Sequence, residues 1–357
     1  MRFASIVRER ERSKNQQVLG VFEKGKGGQM RRTIIAGLVV IFMGSVVGGG
    51  NQIQAADKYP VKPITIILPY EVGSDADVLA RPVMQKASAI LGKPVVIVNK
   101  PGGGQTIGLR EIYGAKPDGY TIGLGNISIV LAKMQGLLPY DYHDFTSICL
   151  LNTSSAVILA SAKTKRPFNS FPEALSFAKA NPGEVTLLTS ATGGPLWLTG
   201  VLLQEVTKLK FNIIPQEGSA GFIVSQLAGG HADLGVTFFP SAKAQIEAGT
   251  VRCIAVAGDE HHPGKYNNIP TLKEMGIDIS VYSFSSIIGP PKMPKEIVEK
   301  LVKTFETVYK DPEIQNYIVA RNSFVKFLPP KEFIDFLNKD RSTYRPVLEK
   351  AGVLKEK

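Results

Sequence analysis

Residues 64–98 read ITIILPYEVGSDADVLARPVMQKASAILGKPVVIV, and the fold class turns on them. Ile64 to Leu68 is a short β-branched run ended by Pro69, which reads as a strand. Leu79, Val83, Ala87 and Ile90 recur at helical spacing and lie on one face of a helix. Val95 to Val98 is a second strand. Strand, helix and strand in so short a span imply parallel strands with helices packed on the sheet faces. Pro82 sits awkwardly inside the helical pattern. It lacks an N–H and crowds the preceding turn, so it is expected to delay the helix start or kink it.

The alternation continues outward from this unit. Tyr120 to Leu124 is the next strand, and a second block opens after Val157 to Ala160. Ser170-Phe171-Pro172-Glu173 is a capping box with proline in the first turn, and Asn181-Pro182-Gly183 ends that helix. Strands are expected at Val185–Thr189, Phe211–Ile214, Leu234–Phe238 and Cys253–Ala257. Ile287-Ile288-Gly289 leads into an amphipathic helix over Lys295 to Lys310, with Ile297, Leu301, Val302, Phe305 and Val308 inward. The stretches Ser161–Pro167 and Tyr282–Ser286 mark candidate crossings between lobes. They would divide the chain into a first lobe of residues 57–160 plus 285–357 and a second of residues 161–284, with a cleft between.

The chain of 357 residues is long enough for two domains, and its 44% hydrophobic and 20% charged residues are those of a globular protein. Its net charge of +11 is uneven. Residues 1–56 hold nine Lys or Arg and three Asp or Glu, and the remainder holds 33 against 28. No basic stripe interleaved with aromatics follows, so nucleic acid is not an expected partner. Met30-Arg31-Arg32, the uncharged run Ile34–Val47 and the small residues Gln54-Ala55-Ala56 have the plan of a secretory signal peptide cut near Ala56. The true start would then be Met30. The apolar run is short beside the ~20 residues that span a bilayer, which disfavours the alternative of an uncleaved anchor. Cys149 and Cys253 each lie in an apolar run. Buried free thiols are expected, and a disulfide after export stays open.

Catalytic signatures are sparse. His143, His231, His261 and His262 form no HExxH pattern, and there is no G-x-S-x-G elbow. No metal or other cofactor is expected. The stretch Pro101 to Gly108, PGGGQTIG, has neither P-loop nor dinucleotide spacing, and reads as a strand-to-helix turn with outward N–H groups. Three further turns share that character: Pro69–Asp77, Gly125–Ser128 and Ser190–Trp197. In open parallel sheets, ligands bind where such turns cluster, at the carboxyl ends of the strands.

The order of motifs resembles that of the extracytoplasmic solute receptors of tripartite tricarboxylate transporters. The likeness is carried by Tyr59–Ile64, Asp77–Arg81, Val96–Gly102, Lys116–Thr121, Leu227–Asp233, Ile246–Gly249 with Arg252, and Ile269–Gly276. It implies a type II-like periplasmic binding protein, with two α/β lobes joined by crossing strands and a ligand cleft between them. The expected product is a soluble, monomeric, non-enzymatic protein of the periplasm. It would capture a small carboxylate or amino-carboxylate and deliver it to membrane transporter subunits. An exported enzyme or a ligand-dependent sensory subunit on the same scaffold is the alternative. Position by position, the resemblance assigns ligand contacts to Tyr70, Gly73, Ser74, Asp75 and Asp77, to Asn126 and Ser128, to Ser190, Ala191, Thr192 and Gly193, and to Phe238.

Two departures stand out. Glu71 and Asp75 place carboxylates in the first loop, where a bound anion would be repelled by ~4 kcal/mol at 4 Å and an effective dielectric of 20. Either these acids face solvent or the ligand carries a cationic group that Asp75 meets. Trp197 is the one tryptophan. It either packs in the core or forms a wall of the cleft that favours an apolar ligand.

Overall fold

The computed structural model describes residues 59–217 and 220–356. The leader, with its start at Met30 and its cut near Ala56, lies outside the described residues. In chain order the elements are β1 (Ile64–Leu68), α1 (Asp75–Leu91), β2 (Val95–Asn99), α2 (Thr106–Tyr113), β3 (Thr121–Gly125), α3 (Ser128–Met134), β4 (Thr146–Ser161), α4 (Phe171–Ala180), β5 (Thr186–Ser190) and α5 (Pro195–Thr207). They continue with β6 (Asn212–Gln216), α6 (Ala220–Ala228), β7 (Leu234–Phe238), α7 (Phe239–Glu247), β8 (Val251–Ala257), β9 (Tyr282–Gly289), α8 (Lys295–Tyr309), α9 (Pro312–Ala320), β10 (Phe324–Leu328) and α10 (Pro330–Lys350). The alternation expected from the opening stretch is therefore present throughout, with boundaries moved by a residue or two. None of these helices is long and apolar enough to cross a membrane.

Strand β4 organises the rest. The apolar runs around Cys149 and Val157 are not separate strands but one strand of 16 residues, buried from Ile148 onward. Strands β9 and β10 pair with its first part, and β7 and β8 with its second. Val281 donates its N–H to the Ala257 carbonyl, which joins the end of β8 to the start of β9 along one edge. Parallel strands β2, β1 and β3 extend the sheet beyond β9, and parallel β5 and β6 extend it beyond β7.

The register dictates where the loops meet. Strand β3 is antiparallel to β9, and β9 to β4, so β1 and β3 run in the direction of β4. Strands β7 and β5 run against it. Gly125, at the carboxyl end of β3, is level with Ser286 and hence with Leu150; Phe238, at the carboxyl end of β7, is level with Ala156. The two sets of carboxyl ends thus point toward each other across six residues of β4, or ~20 Å of strand. Between them lie Asn152, Thr153, Ser154 and Ser155, all buried and polar.

Helices α1, α8 and α9 pack on one face of the first part of the sheet, over Ile64, Ile66, Ile122 and Ile287. The opposite face meets α2, α3 and α10, and its core runs on without a break into that of β5 and β7. Helix α1 starts at Asp75 and continues through Pro82, so the start is not delayed. Proline at 82 orphans the Val78 carbonyl four residues back. The Tyr317 hydroxyl, on α9, donates to that carbonyl at 3.1 Å. A neighbouring helix thus supplies the missing donor.

Both cysteines are free, and burial raises both thiols, Cys253 to about 12. His262 is fully buried between Phe239, which opens α7, and Phe324, which opens β10, with ring centroids 4.3 and 5.4 Å away. Burial pushes its pKa down to about 4. An unfolded histidine titrates near 6.5, so between these values the unfolded chain binds a proton that the folded one refuses. Stability from this group is complete above pH ~6.5 and drops by about 3 kcal/mol as the pH falls to 4. Thermal melts of the wild type and His262→Leu across pH 4 to 7 check this. The wild type should lose more melting temperature in acid than the variant, and parallel curves would refute the assignment.

Candidate functional site

The loops at the carboxyl edges are β1–α1, β3–α3, β5–α5 and β7–α7. None of residues 69–77, 125–128, 190–194 and 238–241 is Lys or Arg. These four loops themselves offer an anion only neutral donors and helix termini, and the lysine beside them is Lys326, which lines a pocket with Thr153 and Ser155.

The first loop is fastened by Asp77, which is buried. Its Oδ2 accepts from the Gly73 N–H at 2.9 Å and the Arg81 Nε at 3.0 Å. Its Oδ1 accepts from a second Arg81 nitrogen at 2.9 Å and from Asn99 Nδ2 at 3.0 Å. Asn99 also donates to the Tyr70 carbonyl, and the Ser74 hydroxyl caps α1 by accepting from the Asp77 N–H. Asp77 is therefore occupied in shaping the loop. Burial alone would raise its carboxyl, but the bonds from Gly73, Asn99 and Arg81 outweigh it and hold the group below the usual carboxylate range.

The loop shaped in this way places Tyr70 against the β3–α3 turn. Asn126 is buried, and its Nδ2 donates both to the Tyr70 hydroxyl and to Oε1 of Gln105. Ser128 donates its hydroxyl to the same Gln105 oxygen at 2.8 Å and its N–H to Asn126 Oδ1 at 2.8 Å. Burial raises the Tyr70 hydroxyl well above its ordinary pKa. It keeps its proton, and having accepted from Asn126 it is left to donate.

On the other edge, Ser190 Oγ accepts from the Trp197 N–H at 3.2 Å and so caps the start of α5. Ala191 and Gly194 close the turn, Thr192 is exposed, and Gly193 takes φ +85°. Trp197 itself is only 8% exposed and packs in the core cluster. Phe238 is half-buried at the end of β7 and precedes α7. The first turns of α5 and α7 contain no acid, whereas that of α1 contains Asp75 and Asp77. Acid-free helix ends therefore lie on both edges, at α2 and α3 on one and at α5 and α7 on the other, and α1 is the exception.

Two hydrogen bonds join the opposing edges. Ser241 donates to Asp75 Oδ2 at 3.1 Å, and Gln135 Nε2 donates to the Gly193 carbonyl at 2.6 Å. Each is worth about 0.5–1.5 kcal/mol. Asp75 and Glu71 are both exposed. The structure brings Tyr70, Asn126 and Ser128 into one cluster, and Gly73, Ser74 and Asp77 into another. Gln105, Gln135 and Ser241 were absent from the residues expected at the site. Gln105 lies in the glycine-rich stretch already noted, while nothing local marks Gln135 or Ser241.

Asp77→Asn should destabilise the fold by about 1–3 kcal/mol at neutral pH, because an amide cannot accept from Gly73, Asn99 and Arg81 together. Since the folded carboxyl lies low, the wild-type advantage is present above pH ~3.9 and lost as the pH falls through the folded value. Urea unfolding at pH 7 and pH 3 measures it. Equal stability of the two proteins at pH 7 would rule out the fastening role.

Comparison with known proteins identifies the family and the fold. The model of the tripartite tricarboxylate transporter family receptor matches residues 79–352. A UPF0065 protein of Agrobacterium vitis is 31% identical over 264 residues, 73% of this chain and 75% of that protein. The crystal structure of a TctC solute-binding protein from Polaromonas superimposes with a TM-score of 0.71 at 27% identity, covering 82% of this chain and 99% of the other. MatC of Rhodopseudomonas palustris, solved with bound malate, superimposes at 0.67 with 22% identity over 81% of this chain and all of the other. The fold is the two-lobed one of periplasmic solute-binding proteins. The chain belongs to the tripartite tricarboxylate transporter receptor family, and it is an extracytoplasmic solute receptor.

Proposed function

We propose that the chain binds a small dicarboxylate in the periplasm and presents it, unchanged, to a membrane transporter. The observation that carries this reading is the pairing of donors across the cleft. One edge offers the Tyr70 hydroxyl beside Asn126 and Gln105, and the other offers the acid-free N-termini of α5 and α7. An anionic group at each end of a short ligand matches the two sets. In this reading the lobes are residues 57–160 with 285–357 and residues 161–284. Gly73, Ser74, Asn126, Ser128, Ser190–Gly193 and Phe238 border the ligand, Trp197 backs them from the core, and residues 1–56 are removed on export.

The two bonds between the opposing edges leave most polar groups there unbridged, so a ligand touching both edges adds contacts that favour the closed form and shifts the population toward it. The catalytic alternative needs a base, and the buried carboxylate of the first loop, Asp77, already accepts four hydrogen bonds.

One observation favours a second ligand class. The exposed Asp75 carboxylate at the cleft mouth suits an ammonium group, and hence an amino-dicarboxylate. A thermal-shift and calorimetry panel of succinate, malate, adipate, aspartate and glutamate decides between them. A ligand at 100 times its Kd should add about 2.7 kcal/mol of stability and be recovered intact. Binding of aspartate in preference to malate, lost in Asp75→Ala, would favour the second class. Silence across the panel, or turnover of a bound compound, would overturn the receptor reading for dicarboxylates.

A further inference from the structure

Gly102, Gly103 and Gly104 have φ of +109°, +59° and +61°, and the next residue, Gln105, continues the run at +76°. The left-handed region costs a residue with a Cβ roughly 1–2 kcal/mol, and glycine enters it freely. A glutamine that keeps such a backbone is held there by what surrounds its side chain. Here those surroundings are the Tyr70, Asn126 and Ser128 cluster.

The orientation of the amide follows from the hydrogen bonds. The Ser128 N–H can only donate, so the Asn126 atom facing it is Oδ1 and the opposite atom is Nδ2. Nδ2 faces Gln105, which must therefore present Oε1, and the Ser128 hydroxyl donates to that oxygen as well. Both lone pairs of Oε1 are engaged, and the amide is not free to flip. What remains is Nε2, which carries two N–H groups and makes no hydrogen bond to any described residue, although Gln105 is half-buried.

We infer that Gln105 contacts the ligand and sets its specificity. Its Nε2 donates to one carboxylate, alongside the Tyr70 hydroxyl, and the locked amide rejects a donor such as an ammonium or a hydroxyl proton at that end. The inference rests on the dicarboxylate reading above and assigns this residue within it. Two variants test it by calorimetry with malate and adipate. Gln105→Gly relieves the backbone at φ +76° but forfeits the two hydrogen bonds to Oε1, so the two effects offset and its ligand-free melting temperature should stay within a few degrees of the wild type. Its affinity should nevertheless fall about 10- to 100-fold, as for a lost bond to a charged group. Gln105→Glu keeps an oxygen toward Asn126 and Ser128 but replaces the donor with an anion, and it should bind at least as poorly. Wild-type affinity in either variant would overturn the assignment while leaving the dicarboxylate reading intact. Failure of the wild type to bind either compound would overturn both.

Discussion

Everything in this molecule hangs on one strand that is paired on both edges for most of its length. β4 shares its first part with β9 and β10 and its second with β7 and β8, so neither half of the sheet can be built without it. The opposed strand directions on its two sides bring the carboxyl edges face to face. That placement is a matter of backbone geometry and register, and it precedes any choice of side chain in the loops. The polar residues Asn152 to Ser155, buried where the halves meet, are the cost of running a strand through the space between two sheets.

The loops show how little charge the site uses. A carboxylate, Asp77, is spent on structure. It neutralises Arg81 and ties two further donors, the Gly73 N–H and the Asn99 amide, and the first loop takes its form around it. In the cluster of Tyr70, Asn126, Gln105 and Ser128 the amide oxygens are taken by internal donors, which leaves the Tyr70 hydroxyl and the Gln105 Nε2 to donate, while the exposed carboxylates Glu71 and Asp75 remain as acceptors of the first loop.

Periodicity made the alternating elements legible, since each helix has one apolar face and each parallel strand a short apolar run. The length of β4 was not legible: the polar Asn152-Thr153-Ser154-Ser155 splits its hydrophobic pattern, and only burial between the halves explains a strand there. Pro82 argued for a delayed start or a kink because its remedy, Tyr317, is 235 residues away. In the first loop, Asp75 and Asp77 are the same residue type two positions apart. Their roles diverge because Asp77 points back to Arg81 and Asn99, whereas Asp75 reaches Ser241 on the opposite edge. The turns of the site could be read from glycine and small residues, but the contacts across the cleft join positions that share no local pattern.

The absence of Lys and Arg from the four loops has an environmental consequence. A cation exposed at a binding site attracts anions through a field that dissolved ions attenuate within ~10 Å at 0.1 M salt. Amide, hydroxyl and helix-end donors act at contact distance, inside that screening length. In the proposed binding mode such contact donors make the affinity depend less on salt than an exposed Lys or Arg in these loops would. For a receptor working outside the membrane, where ionic strength follows the surroundings, that lessens the coupling between capture of the solute and the salinity of the medium.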